Sequence, residues 1–151
     1  MTISERRVTP RPGWVERLIE AAAVVTTPVV PHDYVDMVAP LQSRQVLLAK
    51  VERVRQETDR TVSLWLRPGV LWRGHQPGQY IRIGVDVDGV RHWRTYSLTS
   101  KPAPAGTPGD AGLLQITVTQ VPDGLVSTHL VRRTKVGDLL HLDAADGEFT
   151  L

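Results

Sequence analysis

The sequence predicts a mainly all-β protein: a six-stranded antiparallel Greek-key barrel with one short helix, preceded by a helical N-terminal extension. From Arg44 onwards the apolar residues recur with a period of two, which is typical of half-buried strands. The dipeptide Asp88–Gly89 between two such segments indicates a two-residue hairpin turn. Only residues 125–133 in this half have helical spacing, and several short strands with one helix favour a closed antiparallel barrel.

Residues 1–40 are predicted to form an extension, and residues 41–151 the barrel domain. From Trp14 the apolar residues recur at helical spacing along one stripe. This helix should end before Pro28, because proline disfavours helix in the residue that precedes it. The polar face carries two glutamates and one arginine, so packing against the domain or a partner is favoured over binding to anionic lipid.

Six strands are expected in the barrel, separated by turns and one long loop. A return strand over Val90–Leu98 follows the hairpin turn, and residues 101–112, KPAPAGTPGDAG, are a loop by composition. The apolar positions that mark the other strands are Val46, Leu48 and Val54; Val62, Leu64 and Leu66; Tyr80, Ile81, Ile83, Val85 and Val87; Leu114, Ile116 and Val118; Leu140 and Leu142.

Composition excludes several functional classes. The 151 residues are 41% hydrophobic and 23% charged, which is enough apolar content for a packed core. The formal net charge of +2, without a concentrated basic stripe, argues against nucleic-acid binding. There is no cysteine, which excludes a disulfide framework and a cysteine-ligated iron–sulfur cluster within this chain. The longest apolar run, Ala21–Val25, is too short to span a bilayer, and Glu16 and Glu20 argue against a signal peptide, so the cytoplasm is the expected compartment.

Several familiar sites are not supported by the sequence. The segment DVDG at 86–89 has the start of a calcium loop, but the twelfth position is Ser97 instead of the glutamate that such a loop needs. The five histidines show no zinc-ligand spacing. There is no G-x-S-x-G elbow, no G-x-G-x-x-G and no P-loop, so we predict no metal site, no nucleophile and no ordinary nucleotide-binding βα unit.

The stretch RTYSLTS at 94–100, at the end of a predicted strand, is the first candidate site. Arg94 carries a fork of donors suited to phosphate oxygens. Tyr96 follows on the same strand face, where its ring can cover a flat heterocycle. Ser97 should present its amide or hydroxyl at the edge of that heterocycle. Two interpretations of this stretch are therefore open: a pocket for a flat, aromatic and phosphorylated ligand, or simply an exposed strand end.

The stretch GLVSTHL at 124–130 is the second candidate. The first N–H groups of a helix have no intrahelical partner, and the helix dipole favours negative charge there. Ser127 and Thr128 are placed to assist. The alternative is that Gly124 is only a turn and Ser127 only a helix-start residue. Two anion-suited segments on either side of one aromatic ring favour the phosphorylated ligand.

The order PGQY, RTYSLTS, GLVSTHL and GDLLHLDAADGEFTL resembles the flavin-binding domain of the ferredoxin–NADP reductase superfamily, over about residues 44–151. The resemblance implies a six-stranded antiparallel barrel with one short helix. It also implies that Arg94 contacts the flavin phosphate, that Tyr96 flanks the isoalloxazine and ribityl chain, and that Ser97 lies near flavin N5.

The same resemblance assigns the rest of the cofactor site. Val118 and Thr119 would line the pyrimidine side, although the family often has a basic residue at the position of Thr119. Gly124–Ser127 would hold the pyrophosphate of FAD, and FMN is the alternative because Arg94 could serve a single phosphate. The implied cofactor-binding residues are Arg94, Thr95, Tyr96, Ser97, Val118, Thr119, Gly124, Leu125, Val126 and Ser127.

Partners follow from the resemblance as well. The segment PLQSRQVLLAKVERVRQET is similar to bacterial reductases that serve fatty-acid desaturases or alkane hydroxylases. Complete relatives would pass electrons from NAD(P)H through flavin to an iron–sulfur carrier such as a ferredoxin. The family continues past G-x-F-x-L into an NAD(P)-binding domain, whereas this sequence ends with GEFTL at Leu151. We therefore expect that domain to be absent and the chain to be inactive with NAD(P)H by itself.

Two other functions stay open from the sequence. One is a non-catalytic module that binds flavin or docks a partner. The other is a barrel of the same kind that takes a different phosphorylated ligand.

Overall fold

A six-stranded antiparallel sheet dominates residues 39–148, which are the residues that the computed structural model describes. Its strands and helix, in chain order, are β1 (Leu48–Thr58), β2 (Thr61–Pro68), β3 (Tyr80–Val87), β4 (Val90–Ser97), β5 (Leu114–Thr119), α1 (Leu125–Arg132) and β6 (Leu139–Leu142). Short 3-10 turns occur at Pro40–Gln42 and Asp110–Gly112. The helix predicted from Trp14 and the last three residues of GEFTL lie outside the described residues.

The strand order is β4-β3-β6-β1-β2-β5. Strand β6, the last in sequence, lies between β1 and β3, so a long connection crosses the end of the sheet, as in a Greek key. The predicted six antiparallel strands and single α-helix are confirmed. Within residues 39–148, no helix has the length and apolar character needed to cross a bilayer.

The prediction of a closed barrel needs a correction. No ladder joins β4 to β5 among the described residues, so both remain edge strands. Helix α1 contacts both of these strands and buries Val126 and Leu130 in the core. The apolar interior is therefore covered at this gap by a helix, and burial of the core does not require the last two strands to pair.

The core consists of the residues that alternate along the strands, together with one face of α1. Tyr80 and Val87, at the two ends of β3, are half-buried. The other strand positions expected from the period of two in β2, β3, β5 and β6 are fully or almost fully buried. These residues are Val62, Leu64, Leu66, Ile81, Ile83, Val85, Leu114, Ile116, Val118, Leu140 and Leu142.

Strand β1 differs from the prediction in its phase. Val46 precedes the strand and is 42% exposed, whereas Ala49 and Val51 are completely buried. The phase follows from the pairing with β6, which places Ala49 directly opposite the buried Leu140. A bulge between Val51 and Arg53 then shifts the register, and it returns Val54 to the side of the core.

The hairpin turn between β3 and β4 is confirmed at Asp88 and Gly89, whose φ angles are +52° and +77°. Both residues adopt the left-handed conformation that a type I′ turn requires. The carboxylate of Asp86 accepts two hydrogen bonds from Arg91, at 2.8 and 3.0 Å. The carboxylate of Asp86 therefore stabilises the hairpin.

Candidate functional site

The edge of β4 presents main-chain groups that do not bond to β3. Tyr80 of β3 lies opposite Ser97. Its main-chain N–H and carbonyl oxygen nevertheless bond to Asp146, at 2.9 and 3.0 Å, and not to Ser97. Leu98, one residue further, donates its N–H to the carbonyl oxygen of Gln79 at 3.0 Å. Because ladder bonds alternate along an antiparallel strand, the main-chain groups of Thr95 and Ser97 point away from β3.

The edge of β5 is arranged in the same way. Gln120 donates its N–H to the carbonyl oxygen of Arg60 at 2.7 Å, whereas the carbonyl oxygen of Gln115 points outwards and accepts the N–H of Thr99 at 2.8 Å. By the same alternation, Thr117 and Thr119 direct their main-chain groups away from β2.

These two edges form a seam, which we define as the gap between residues 95–99 and residues 115–119. The edges meet at the hydrogen bond from Thr99 to Gln115, and beyond that point no strand pairing bridges them in the described chain. A gap lined on both sides by main-chain donors and acceptors suits the polar rim of a flat heterocycle.

Arg94 and Tyr96 lie on the inner side of the sheet, beside α1. They are directly opposite Ile83 and Ile81, which are completely buried, so all four side chains share one face. The core residues of α1 pack on this same face. The prediction that Arg94 and Tyr96 share a strand face is therefore confirmed, whereas Thr95 and Ser97 lie on the other face.

The guanidinium of Arg94 is available to an anion. Its side chain is exposed, and Nη1 donates to the carbonyl oxygen of Trp93 at 2.7 Å. Among residues 39–148, no carboxylate forms an ion pair with it, whereas the nearby Arg82 and Arg91 are paired with aspartates. A fork of donors without a carboxylate partner suits a phosphate group.

The ring of Tyr96 is half-buried and packs against the core. Burial raises the pKa of its hydroxyl to about 12, and the positive charge of Arg94 opposes that rise to a smaller extent. The phenol therefore stays neutral at physiological pH and can form a hydrogen bond.

Within residues 39–148, the first three amides of helix α1 have no partner, as the second candidate site predicts. Its first intrahelical bond runs from the N–H of Thr128 to the carbonyl oxygen of Gly124 at 3.0 Å, and no side chain caps the start. In the described chain the N–H groups of Leu125, Val126 and Ser127 therefore have no partner. A helix start of this kind attracts an anion.

The hydroxyl of Ser127 is engaged within the protein. Ser127 is almost fully buried, and its Oγ accepts the N–H of Val121 at 3.1 Å and donates to the carbonyl oxygen of Gly124 at 3.2 Å. Likewise, the hydroxyl of Thr128 accepts a hydrogen bond from Gln120. Both hydroxyls were expected to assist an anion, but in this arrangement the main chain offers the free donors.

Val118 and Thr119, the two residues predicted on the pyrimidine side of the flavin, differ in the exposure of their side chains. Val118 buries its side chain in the core, and its main chain bonds within the β2–β5 ladder. Thr119 is exposed and shares a hydrogen bond of 3.1 Å with the hydroxyl of Thr61. The contribution of both residues to a ligand stays a prediction.

Two further residues at the seam were not predicted from the sequence. Thr117 has its main chain in the seam, and its position two residues before Thr119 is the signal that would have found it. Tyr80 lies opposite Ser97 and donates its hydroxyl to Asp146 at 3.2 Å, which raises the pKa of Tyr80. It belongs to PGQY, a segment that carried the resemblance without an assigned role.

The structure thus brings both candidate sites to one side of the sheet, because α1 contacts β4 as well as β3 and β5. A cavity of about 300 Å³ adjoins the start of α1, between Val87 of the hairpin and the helix residues Leu125 and His129. The open seam, the free cation and the free helix start therefore offer separate contacts for a ring, a first phosphate and a second phosphate.

Comparison with known proteins identifies this arrangement. Residues 45–151 match the model of the oxidoreductase FAD-binding domain family. The chain is 43% identical over 143 residues to an NADPH oxidoreductase of Mycobacterium tuberculosis, which covers 93% of this chain and 36% of that protein. Among these curated and solved relatives, the chain spans less than half of each protein's length.

Solved structures agree with the family match. The flavohem-like FAD/NAD-binding domain of nitric oxide dioxygenase from Vibrio cholerae has a TM-score of 0.60 and 31% identity, over 72% of this chain and 46% of that chain. A ferredoxin reductase in carbazole 1,9a-dioxygenase has a TM-score of 0.52 and 29% identity, over 66% of this chain and 28% of that chain. The predicted resemblance is therefore confirmed: the chain belongs to the oxidoreductase FAD-binding domain family of the ferredoxin reductase superfamily, and its cofactor is FAD.

Proposed function

We propose that FAD binds across the seam, with its pyrophosphate at the start of α1. The observation that supports this proposal most strongly concerns the part of the chain that the structure describes: main-chain groups without a partner on two strand edges lie on the same side as three helix amides without a partner. Thr117 and Thr119 offer main-chain partners to the pyrimidine rim, and Ser97 offers its amide near flavin N5. Tyr96 covers the ring system from the inner face, and Arg94 binds the first phosphate.

In this proposal the protein orients the cofactor and shapes its electrostatic surroundings, while bound FAD supplies the capacity to accept a hydride and to release electrons. Arg94 and the free helix amides offset the charge of the two phosphates. Tyr96 keeps its proton because burial raises its pKa, so the ring places no negative charge beside the cofactor.

We propose that the complete protein passes electrons from NADPH to an iron–sulfur or similar acceptor in the cytoplasm. Three observations support this: the identity to an NADPH oxidoreductase, the likeness to a ferredoxin reductase, and the absence of cysteine, which fits a reducing compartment. A desaturase or hydroxylase would then lie at the end of the electron path. These 151 residues contain no dinucleotide fingerprint, so they supply the flavin half of that reaction.

Titration of the purified chain with FAD tests the flavin site. We expect saturable binding at one site, seen as a change in flavin absorbance and fluorescence, and tighter binding of FAD than of FMN because only FAD has a second phosphate. Equal and merely millimolar affinities for FAD and for free AMP would contradict the proposed site.

A further inference from the structure

One side chain outside the seam fixes the direction of helix α1. The side-chain amide of Gln120 donates from Nε2 to Oγ1 of Thr128 at 3.3 Å and accepts at Oε1 from Nε of Arg132 at 3.0 Å. Thr128 and Arg132 are four residues apart and so lie on one face of the helix, one turn from each other. Because Gln120 contacts α1 at two points along the helix axis, these contacts constrain the tilt of the helix as well as its distance from β5.

Gln120 is itself anchored to the barrel on its other side. Its N–H donates to the carbonyl oxygen of Arg60 at 2.7 Å, and its own carbonyl oxygen accepts Nη2 of Arg60 at 3.2 Å. Arg60 lies in the turn between β1 and β2. All four polar groups of Gln120 are therefore engaged, and the residue connects the β1–β2 turn rigidly to α1.

The hydrogen bonds to Gln120 add a directional constraint to the apolar contacts of α1. Val126, Leu130 and Val131 are buried in the core, but apolar burial is non-directional. Hydrogen bonds weaken steeply as they bend, so they resist small rotations of the helix. The helix partners of Gln120, Thr128 and Arg132, follow the first three residues of α1, so the contacts of Gln120 do not cover the amides of those residues.

We propose that Gln120 is a positioning residue that sets the preference of this chain for FAD over FMN, an inference that rests on the flavin site proposed above. A change in the tilt of α1 moves the three free amides away from a second phosphate. It leaves Arg94 on β4 in place for the first phosphate. FMN has only that first phosphate, so loss of the Gln120 contacts should weaken FAD binding selectively.

The test compares the dissociation constants of FAD and FMN for three proteins: the wild-type chain, Gln120→Met and Gln120→Glu. Methionine keeps the length of the side chain without its hydrogen bonds, and we expect the FAD:FMN preference to fall about fivefold or more, with FMN affinity unchanged within about twofold. Glutamate can accept hydrogen bonds from both Thr128 and Arg132, so it should restore the preference.

Two further variants separate positioning from stability. Gln56→Met removes an exposed glutamine whose side chain, among the described residues, bonds only to the carbonyl oxygen of Thr58 in its own strand, and should leave the preference intact. Arg132→Met removes one contact of Gln120 from an exposed position, and should lower the preference in the same direction even if Gln120→Met does not fold.

The possible results are distinct. If Gln120→Met or Arg132→Met lowers the unfolding midpoint but leaves the FAD:FMN preference unchanged, Gln120 is only a structural residue and the inference is overturned. If the wild-type chain binds neither flavin, the proposed function fails, and the inference falls with it. Selective loss of FAD affinity that Gln120→Glu rescues would support the inference.

Discussion

The hydroxyl of Ser127 fills the place where a side chain on Gly124 would begin. A Cβ built on Gly124 would lie 2.6 Å from Oγ of Ser127, which is closer than real Cβ contacts, so the glycine and the serine depend on each other. The serine hydroxyl in turn holds the loop before α1 through the N–H of Val121.

This dependence predicts the behaviour of two substitutions. We expect Gly124→Ala to destabilise the protein by about 1–3 kcal/mol through overpacking, and to weaken FAD binding because the start of α1 shifts. Ser127→Ala should cost about 1 kcal/mol for its lost hydrogen bonds. The double variant should be more stable than the sum of the two losses predicts, since alanine at 127 removes the closest contact of a Cβ at 124 and leaves those with Val121 at 3.1 and 3.3 Å. Urea unfolding of all four proteins measures this coupling, and strict additivity would contradict it.

Arg94 is expected to act through its fork of donors. Arg94→Ala should weaken FAD binding by about a hundredfold or more, because two charge-assisted hydrogen bonds are lost at about 1.5–3 kcal/mol each. Stability should not change, since the side chain is exposed and unpaired with carboxylates in the described chain. The control is Arg91→Ala, an arginine on the other face of β4 that is paired with Asp86. An affinity of Arg94→Ala within about threefold of wild type would remove this residue from the phosphate site.

Thr99 should determine where the seam begins. Thr99→Pro removes the N–H that bonds to the carbonyl oxygen of Gln115, so we expect a loss of about 1–2 kcal/mol in stability and weaker FAD binding. Thr99→Val is the matched control, because it keeps the N–H and loses only the hydroxyl bond of 3.2 Å to the same oxygen. Indistinguishable urea midpoints for the two variants would show that this contact does not hold the strand edges together.

The half-buried phenol of Tyr96 predicts a loss of stability in alkali. Its pKa is raised from 10 in the ordinary case to about 12, so between these values the unfolded chain releases a proton that the folded chain retains. The contribution of Tyr96 to stability is therefore present below about pH 10 and is lost as the pH rises through about 12. Tyrosinate absorbance should show a late titration that Tyr96→Phe removes and Tyr80→Phe leaves in place. A titration of Tyr96 near pH 10 would contradict its burial.

Hydride transfer is predicted to fail with these 151 residues alone. The nicotinamide carbon must be held about 3–3.5 Å from the flavin with its orbitals aligned, and the sequence has no dinucleotide fingerprint that would hold it. We expect FAD-loaded protein that is mixed anaerobically with excess NADPH to keep its flavin absorption band, because the flavin is not reduced at an enzymatic rate. Rapid bleaching at micromolar NADPH would show that the barrel orients the donor by itself.

The parts of the fold that depend on local sequence were predicted from the sequence. The period of two located five strands and the buried faces of four of them, β2, β3, β5 and β6. Asp88–Gly89 located the hairpin, because both patterns are properties of adjacent residues. The prediction of which β1 residues face inwards was wrong, because this is determined by the partner strand β6, which lies about ninety residues further along the chain.

In the candidate site, too, features set by adjacent residues were predicted, and features set by distant partners were not. That Arg94 and Tyr96 share a face follows from strand geometry, and the free amides of α1 follow from its start. The seam could not be predicted, because the main-chain direction of Ser97 depends on Tyr80 bonding to Asp146. The contacts of Gln120 could not be predicted for a similar reason, since its partners Arg60 and Arg132 lie 60 and 12 residues away.

The unpaired edges of the seam also bear on how copies of this protein behave towards one another. A strand edge with free main-chain groups is a template for pairing with an edge of another molecule. Edges β4 and β5 each offer such groups, at Thr95 and Ser97 and at Thr117 and Thr119. A cofactor seated between them would block both templates, so flavin binding would also protect the protein from self-association.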